Sequence, residues 1–470
     1  MTQPPTSSSQ SATDDRVWAE ELAMALVDAA KKAGADACDA TVGLSSSIQA
    51  SARDGAIEDL EKSASRAAAV RVIVEGRLGF ATSSDAPLTP RDVGDLAATA
   101  VALARLAGPA DHNVILPPGG LSPAEIRAAG DALQTFDDVT AAAGPDWAAA
   151  QALLMEHVVR GHEGVVGVRS VSAGARRGIF ALASSTGFVG STRGTSCSLS
   201  CSAVVEDGAR KQIEGWWSAA RALHLLEDPA SVADEAARRA LARRGARKVP
   251  TTRAAVVFDA PTARGFLSAI VSGMSGEAIA RRQSFLLGKK DDVVFVPGFP
   301  LVDDPSLPRG LASRPFDGEG QVGRRTILID EHGRLVTWLH DGRSATRLGE
   351  PPTGHAARGA TSLPMPSPTN TTLGGGRGDL ASVVKETPRG LLVTRMLGHG
   401  PDMTTGDYSR GAAGYWIEDG AIAFPVEEVT IAGHMLDMMK GIDRVGADLD
   451  LRSSLRVPCL RFAELSIGGK

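Results

Sequence analysis

Apolar positions near the start of the chain recur at helical spacing. Trp18, Leu22, Ala25, Leu26, Ala29 and Ala33 mark one face and Gly34 a stop, which predicts a helix over residues 17–33. The pattern then changes to short alternating runs. Strands are expected over 40–44 and 48–52, leading into Asp54-Gly55, a two-residue hairpin signal. Residues 70–74 and 77–81 around Glu75-Gly76 read as a second hairpin. Thr89, Pro90 and Asp92 then supply a hydroxyl cap, a proline at the first helical position and a carboxylate at the third. Val93, Leu96, Ala100, Leu103 and Leu106 give that helix its apolar face.

Periodicity is weaker beyond. Residues 108–144 are rich in Pro, Gly, Ala and Asp and read as a linker or mobile loop. Strands are favoured again over 165–205, punctuated by Gly174, Gly178, Gly187 and Gly190. A helix over 231–244, opened by Ser231 with Asp234 at its third position, carries Arg238, Arg239, Arg243 and Arg244 on a basic side. A solvated face is preferred there over a nucleic-acid contact. A strand over 254–258 and a short helix from Pro261 follow, then loops and short strands dense in Gly, Pro and Asp. Ile431, Met435, Met438, Met439 and Ile442 restore helical spacing over 426–442, with the methionines as core filling. A last strand is expected over 460–467. The result is an α+β chain: a tail over 1–15, an N-terminal helix and antiparallel-sheet domain over 16–110, a linker and middle α+β segment over 111–250, and a β-rich domain over 251–470.

Composition narrows the function classes. The chain has 470 residues, enough for two or three domains, and 43% are apolar, which supports a sizeable core. Fifty Lys and Arg against 55 Asp and Glu leave a net charge of −5, and aromatics are only 4%. Neither suits a chain built to neutralise phosphates or to stack on single strands. Cys38, Cys197, Cys201 and Cys459 form no CxxC pair, so a reducing compartment is expected. No apolar run is long enough for a membrane span and the Ser/Thr/Pro/Gln-rich start is no signal peptide, so the reading is cytoplasmic.

Local motifs define no reaction. His157 and His162 are five apart, about 140° around a helix, whereas paired zinc ligands favour i, i+4. The remaining histidines are scattered. Gly273-Met274-Ser275-Gly276 is one residue short of a nucleophile elbow. Cys197 and Cys201 lie on one face of an alternating segment, better read as buried than reactive. Gly374-Gly375-Gly376-Arg377-Gly378 lacks the Lys-Ser/Thr of a phosphate loop. Asp303-Asp304-Pro305 and Asp317-Gly318-Glu319-Gly320 could gather around a divalent ion or a peptide amine, but Asp before Pro or Gly is ordinary turn chemistry, and that reading is preferred.

The second half carries a resemblance in an ordered series of segments. Arg281-Arg282-Gln283-Ser284-Phe285-Leu286 with Gly288-Lys289 precedes Asp303-Asp304-Pro305 and Phe316-Asp317-Gly318-Glu319-Gly320. Ser344-Ala345-Thr346-Arg347-Leu348-Gly349, Thr353-Gly354-His355-Ala356-Ala357-Arg358 and Pro368-Thr369-Asn370-Thr371 follow. Thr405-Gly406-Asp407-Tyr408-Ser409-Arg410-Gly411-Ala412 and Gly414-Tyr415-Trp416-Ile417-Glu418-Asp419-Gly420 close it. Gly34-Ala35-Asp36-Ala37, Asp54-Gly55-Ala56-Ile57-Glu58 and Gly76-Arg77-Leu78-Gly79 fit as well. The series resembles the TldD/PmbA family, the so-called modulators of DNA gyrase, in its PmbA (TldE) branch.

The resemblance implies an N-terminal α+β domain and a larger C-terminal domain around a curved, barrel-like antiparallel sheet. It also implies a TldD subunit with zinc on an HExxxH helix, paired as a heterodimer with TldE in trimming peptides, including microcin-type antibiotic maturation and antitoxin turnover. In the matching segment of this chain Ser268 and Gly273 stand at the two histidines and Ala269 at the glutamate. Hydroxyl is a poor zinc ligand, and Ala and Gly offer none. No metal or cofactor is therefore expected in this chain, with zinc confined to a TldD-type partner, and no catalysis without that partner. Asp317, Glu319, His355, Arg358, Asn370, Asp407 and Ser409 are the groups expected to line a peptide groove, each also readable as a turn or cap residue. Two rivals stand: an independent hydrolase assembled from positions such as His355, His399 and Asp407, and a non-enzymatic protein acting on gyrase without direct nucleic-acid contact. Self-association as a homodimer is left open.

Overall fold

Asp54 and Gly55 have φ of 54° and 78°, and Glu75 and Gly76 have 50° and 72°. Both pairs supply the two left-handed residues that a tight antiparallel hairpin needs. The computed structural model describes residues 8–84 and 88–469, with side chains from Asp15 onward. In it these turns join β1 (Ala37–Arg53), β2 (Ala56–Val74) and β3 (Arg77–Ser83). The helix before them, α1 (Ser8–Lys32), takes in residues 8–15, which the sequence suggested as tail; residues 1–7 of that tail lie outside the described residues. The two short strands expected over 40–44 and 48–52 are one. Ser45, Ser46 and Ser47 sit between Ser65, Ala64 and Ser63 on one side and Gly178, Arg177 and Arg176 on the other, so the polar run stays fully paired.

Helix α2 (Pro90–Leu106) starts as predicted, with a reciprocal capping box between Thr89 and Asp92. Its buried face is only partly the one expected: Val93, Ala100 and the half-buried Leu96 agree, and the rest is rotated. Val93, Ala97, Ala100, Val101 and Ala104 face inward, while Leu103 and Leu106 are 45% and 85% exposed. The cause is close approach: a Cβ on Gly79 of β3 would lie 2.0 Å from the Ala100 carbonyl oxygen, so only a small-residue face fits.

The stretch over 108–144 contains helices rather than slack alone. Helix α3 (Pro123–Ala132) is opened by a second capping box, Ser122 with Glu125, and the short α4 (Asp138–Ala141) is capped by Asp137. Then come α5 (Pro145–Arg160), β4 (Val165–Ser184), β5 (Val189–Asp207), β6 (Arg210–Ala220) and α6 (Pro229–Leu241). Asp228, not Ser231, caps α6, because Pro229 takes the first helical position. The six strands form one curled antiparallel sheet in the order β3-β2-β1-β4-β5-β6. The segments 16–110 and 111–250, read apart in the sequence, therefore share a sheet through the β1–β4 pairing. One face is covered by helices. α1 and α2 pack on Ala40, Val42, Val70 and Ala181; α5 and α6 pack on Ala50, Ala173, Leu199 and Cys201. Cys197 and Cys201 are buried there as expected, and burial pushes both thiols up to about 12.

The second half begins with β7 (Thr252–Phe258), α7 (Ala260–Gly273) and α8 (Gly276–Ala280). A small sheet follows from β8 (Leu301–Asp303) and β9 (Thr326–Ile329), then α9 (Gly342–Leu348), the pair β10 (Ala356–Ala357) and β11 (Met365–Pro366), and β12 (Thr371–Leu373) beside β8. Helix α10 (Leu380–Lys385) leads to β13 (Arg389–Leu397), β14 (Asp407–Glu418) and β15 (Ala421–His434). The chain ends with α11 (Met435–Lys440), β16 (Ile442–Val445), β17 (Leu455–Arg456) and β18 (Leu460–Gly468). β15, β14, β13, β7 and β18 close into a five-stranded barrel, because Thr430–Ala432 of β15 pairs back onto β18. The helix expected over 426–442 is mostly strand. Val426, Val429, Thr430 and Ile431 are β-branched and pair with β14, and only Met435–Lys440 coils. Met435, Met438 and Met439 are core, as expected. Edge-on contacts of Phe462 with Phe258 (4.8 Å) and Phe266 (5.3 Å) seat α7 on the barrel. No helix among the described residues is long and apolar enough to cross a membrane.

Two glycines, one at the interface of β3 with α2 and one on the exposed side of α2, should respond oppositely. Gly79→Ala is expected to destabilise by about 2 kcal/mol in urea unfolding, because its Cβ meets backbone on α2. Gly94→Ala, in the same helix with nothing within 4 Å, should stabilise by about 0.5–1 kcal/mol.

Candidate functional site

The sheet face away from the helices meets loops of the second half, and buried charge holds the seam. Asp39 and Arg71 are direct cross-strand partners. Arg71 Nε donates to Asp39 Oδ2 at 3.0 Å, and its Nη1 reaches Glu319 Oε1 at 3.0 Å. Arg358 Nη1 donates to Asp39 Oδ1 at 3.0 Å and its Nη2 to Thr41 Oγ1 at 3.2 Å. Glu319 Oε2 accepts the Gly342 N–H at 2.6 Å. The side chains of Arg71, Asp39, Glu319 and Arg358 are 6%, 2%, 1% and 0% exposed. Burial opposes ionisation of Asp39, but Arg358 and Arg71 outweigh it and hold the carboxyl below its ordinary range. Burial raises Glu319, only partly offset by Arg71 and the Gly342 N–H.

The other residues singled out in the sequence divide between interior and surface. Asp317 accepts backbone N–H groups from Glu319, Gln321 and Ala356 at 2.8, 2.9 and 3.0 Å, which shapes its loop. Asp303, fully buried, accepts from Thr369 N–H (2.8 Å), Thr371 Oγ1 (2.8 Å) and the Thr369 hydroxyl, and lies 3.1 Å from His355 Nε2. His355 Nδ1 is 2.9 Å from Thr353 Oγ1. Asn370 ties Ala312, Ser313 and the Asp304 carbonyl together at 2.9–3.0 Å. Asp317, Glu319, His355, Arg358 and Asn370 are therefore supports beneath loops. Asp407 and Ser409 are exposed at the start of β14, where Thr405 Oγ1 donates to Asp407 at 2.8 Å. His399 is exposed on the loop before β14, and His355 is interior, so His355, His399 and Asp407 do not form a set. Among the described residues no three His, Cys, Asp or Glu side chains come together to hold a metal ion.

Above the clamp lies a cleft of about 530 Å³ between the sheet and the loop at 359–361. Its floor is Gly43, Ser45, Ser65, Gly178, Gly194 and Ser196, with Arg176 and Arg221 at its sides. Thr41 Oγ1 donates to the Ala360 carbonyl at 2.8 Å, and a Cβ on Gly43 would come within 2.5 Å of Ala360 Cβ. Sequence reasoning missed this floor. Its one signal is the coincidence of glycine and serine at alternate positions of neighbouring strands, which becomes legible only once register is known.

The basic side at the end of α6 divides: Arg238 and Arg244 stay exposed, as expected, while Arg239 and Arg243 form a second seam. Arg243, 2% exposed, donates to the Gly414 and Val426 carbonyls at 3.1 and 2.9 Å and lies 3.6 Å from Glu214. Arg239 pairs with Asp259 at 3.2 Å, and Arg244 donates to the Gly164 carbonyl at 2.7 Å. The helix ends against the barrel, where Arg239 meets the Thr394 carbonyl and Arg243 those of Gly414 and Val426.

Three family models match in succession: PmbA/TldA metallopeptidase domain 1 over residues 38–104, the central domain over 135–244 and the C-terminal domain over 251–469. Metalloprotease PmbA of Escherichia coli O157:H7 is 31% identical over 464 residues, 98% of each chain. This chain belongs to the PmbA/TldD metallopeptidase family. The Haemophilus influenzae PmbA homolog is 32% identical over 446 residues, 94% of each chain. The fold agrees with two solved PmbA/TldD-type structures. A modulator of DNA gyrase from Bacteroides thetaiotaomicron has TM-score 0.85 at 24% identity, covering 96% of this chain and 99% of its own. TldE from Thermococcus kodakarensis has TM-score 0.83 at 21% identity, covering 94% and 99%.

Within this PmbA/TldD chain, α7 holds Ser268, Ala269 and Gly273, the positions that the resemblance led us to expect at a zinc motif. Ser268 is exposed, Ala269 is 8% exposed and Gly273 is buried. A Cβ on Gly273 would sit 3.0 Å from Phe285 Cε1 and 3.2 Å from Leu286 Cδ1, and Ser284 Oγ donates to the Gly273 carbonyl at 2.6 Å. One hydroxyl, one methyl and one absent side chain do not fit zinc at this place, and the space for a ligand at 273 is filled by core.

Two measurements test the buried polar groups. Arg71→Met leaves Asp39 and Glu319 short of a partner and is expected to cost about 3–5 kcal/mol in urea unfolding. Burial opposes ionisation of Asp303, but His355, Thr369 and Thr371 overcome it and hold its carboxyl below the ordinary value. Its stabilisation is present above the unfolded value of about 3.9 and lost as pH falls through the lower folded value. Asp303→Asn should therefore cost about 2–3 kcal/mol at pH 7, with the gap to wild type narrowing below about pH 4. A gap independent of pH would contradict an ionised Asp303.

Proposed function

We propose that this chain is a metal-free, TldE-type subunit that pairs with a zinc-bearing TldD-type peptidase and closes a chamber for unfolded or small peptides. The observation carrying this reading is Gly273. At the place of a zinc-binding histidine the helix offers no side chain, and Phe285 and Leu286 occupy the volume. Ala269 at the place of the general base has no proton acceptor. The chain's part is then to bind and orient. The cleft suits an extended chain: its floor of glycine and serine carries no bulky side chain, and the serine hydroxyls offer hydrogen bonds of little sequence preference. The buried clamps at Arg71 and Arg243 support a chamber wall of fixed width, which admits a peptide strand and excludes folded domains. Peptide trimming, antibiotic maturation and antitoxin turnover are the processes in which such a pair would act.

Purified alone without added zinc, the chain should carry close to no metal by atomic emission and should not cleave an unstructured peptide. Adding a TldD-type subunit should restore chelator-sensitive cleavage, and His399→Ala in this chain should leave that activity unchanged. Cleavage by this chain alone, insensitive to chelator, or about one zinc per chain, would refute the reading.

A further inference from the structure

One side of the cleft holds an arginine with no carboxylate partner among the described residues. Arg221 follows β6 and donates from Nε to the Gly310 carbonyl (3.1 Å), from Nη1 to the Thr195 carbonyl (3.2 Å) and from Nη2 to the Leu311 carbonyl (2.6 Å). All three acceptors are neutral. Burial pushes this guanidinium below its ordinary value, and no carboxylate stands near enough to offset that. This sets it apart from Arg71, Arg239 and Arg243, each of which faces a carboxylate within 4 Å. A guanidinium carries five N–H groups, so one on each terminal nitrogen has no partner among the described residues and is available to a carboxylate.

The surroundings keep that edge open. A Cβ on Gly194 would lie 3.2 Å from Arg221 Nη1, so the glycine leaves room beside it. Arg176 rises from the same sheet face, in register with Ser47 and Ser196, and has no hydrogen-bond or ion-pair partner among the described residues. No Asp or Glu lines the cleft. Ser45, Ser65 and Ser196 likewise have hydroxyls without partners among the described residues. A largely buried cation without a counter-ion is costly, and a ligand carboxylate would relieve that cost.

We propose that this cleft is a carboxylate subsite: Arg221 and Arg176 together hold an acidic group of a peptide whose main chain runs over the glycine and serine floor. The proposal rests on the peptide-chamber reading above and names the chemistry by which the chamber retains its substrate. The carboxylate is either the peptide's C-terminus or an acidic side chain, and the chemistry is common to both. Nucleic-acid phosphate is disfavoured by the net charge of −5 and by a floor with Phe180 as its one aromatic.

The test is isothermal titration of the full chain at low salt with three N-acetylated hexapeptides of Ala, Gly and Ser: a free acid, its C-terminal amide, and an amide with one central Glu. At least one carboxylate form should bind tenfold or more tighter than the uncharged amide, and the advantage should shrink as NaCl rises. The form that wins identifies the source. Arg176→Gln and Arg221→Met should each reduce the advantage fivefold or more while leaving the uncharged amide's affinity in place. Arg221 also tethers the Gly310 and Leu311 carbonyls, so Arg176→Gln, exposed and unpaired, keeps the test decisive if Arg221→Met does not fold. Equal binding of all three peptides, or an advantage that survives Arg176→Gln, overturns the subsite and leaves the peptide chamber standing. Binding of none overturns both. Tighter binding of a ten-residue oligothymidylate than of any peptide overturns the proposal in favour of nucleic acid.

Discussion

Four charges with almost no access to water set the geometry on which the rest depends. Arg71, Asp39, Arg358 and Glu319 are neutral as a group, and each has at least two hydrogen-bonding contacts. Such buried ions are tolerated only where partners offset their desolvation: all four carboxylate oxygens accept here, and Arg358 Nε is the one nitrogen of the two guanidinium groups without a partner among the described residues. That arrangement joins two parts of the chain far apart in sequence: β1 and β2 on one side, the loops at 317–321 and 356–361 on the other. Arg358 immediately precedes Gly359, so the clamp also fixes the loop that roofs the cleft. The carbonyl-capped Arg243 and Arg452, whose guanidinium lies 3.8 Å from the Trp216 ring centroid, tie the same two halves elsewhere. Three separated links argue for a rigid cleft rather than a hinge.

Local chemistry was legible wherever a few adjacent residues decide the backbone. Asp54-Gly55 and Glu75-Gly76 turn as left-handed pairs, and Thr89 with Asp92 closes its capping box, because each depends only on its own neighbours. The same box at Ser122 and Glu125 is equally local, but it stands among prolines and glycines that favour loop. What failed was long-range. Nothing local says that Ser45–Ser47 has a strand on either side, or that Val426–Ile431 closes a barrel through β18. Register is a pairing property, and the cleft floor exists only through register.

Charge was the other limit. Arg238, Arg239, Arg243 and Arg244 look in sequence like the solvated side of a helix, yet Arg243 is among the most buried charged residues of the fold. Asp317, Glu319 and Asn370 look like groove-lining polar groups, yet they stabilise loops from beneath. A polar residue in a Gly- and Pro-rich segment has two physical uses: to reach a ligand, or to satisfy backbone that has no helix or strand to satisfy it. The loops of the second half are long and mostly without regular structure, and the second use dominates there.

The contrast between α7 and the cleft follows from the same accounting of space and charge. At Gly273 the absent side chain is compensated: Phe285 and Leu286 fill the volume, and the Ser284 hydroxyl meets the carbonyl. Placing a histidine there would have to displace an aromatic ring held in the barrel core, so three substitutions at 268, 269 and 273 would not by themselves rebuild a metal site. At Arg221 the opposite holds. The missing partner is not compensated by packing or by a carboxylate, and the space beside the guanidinium is kept open by Gly194. On the proposed reading, a fold that closes one position with core atoms and leaves another charged and open contributes retention of a peptide rather than reaction. The first position explains why such a chain would need a catalytic partner, and the second what it would contribute to that partner.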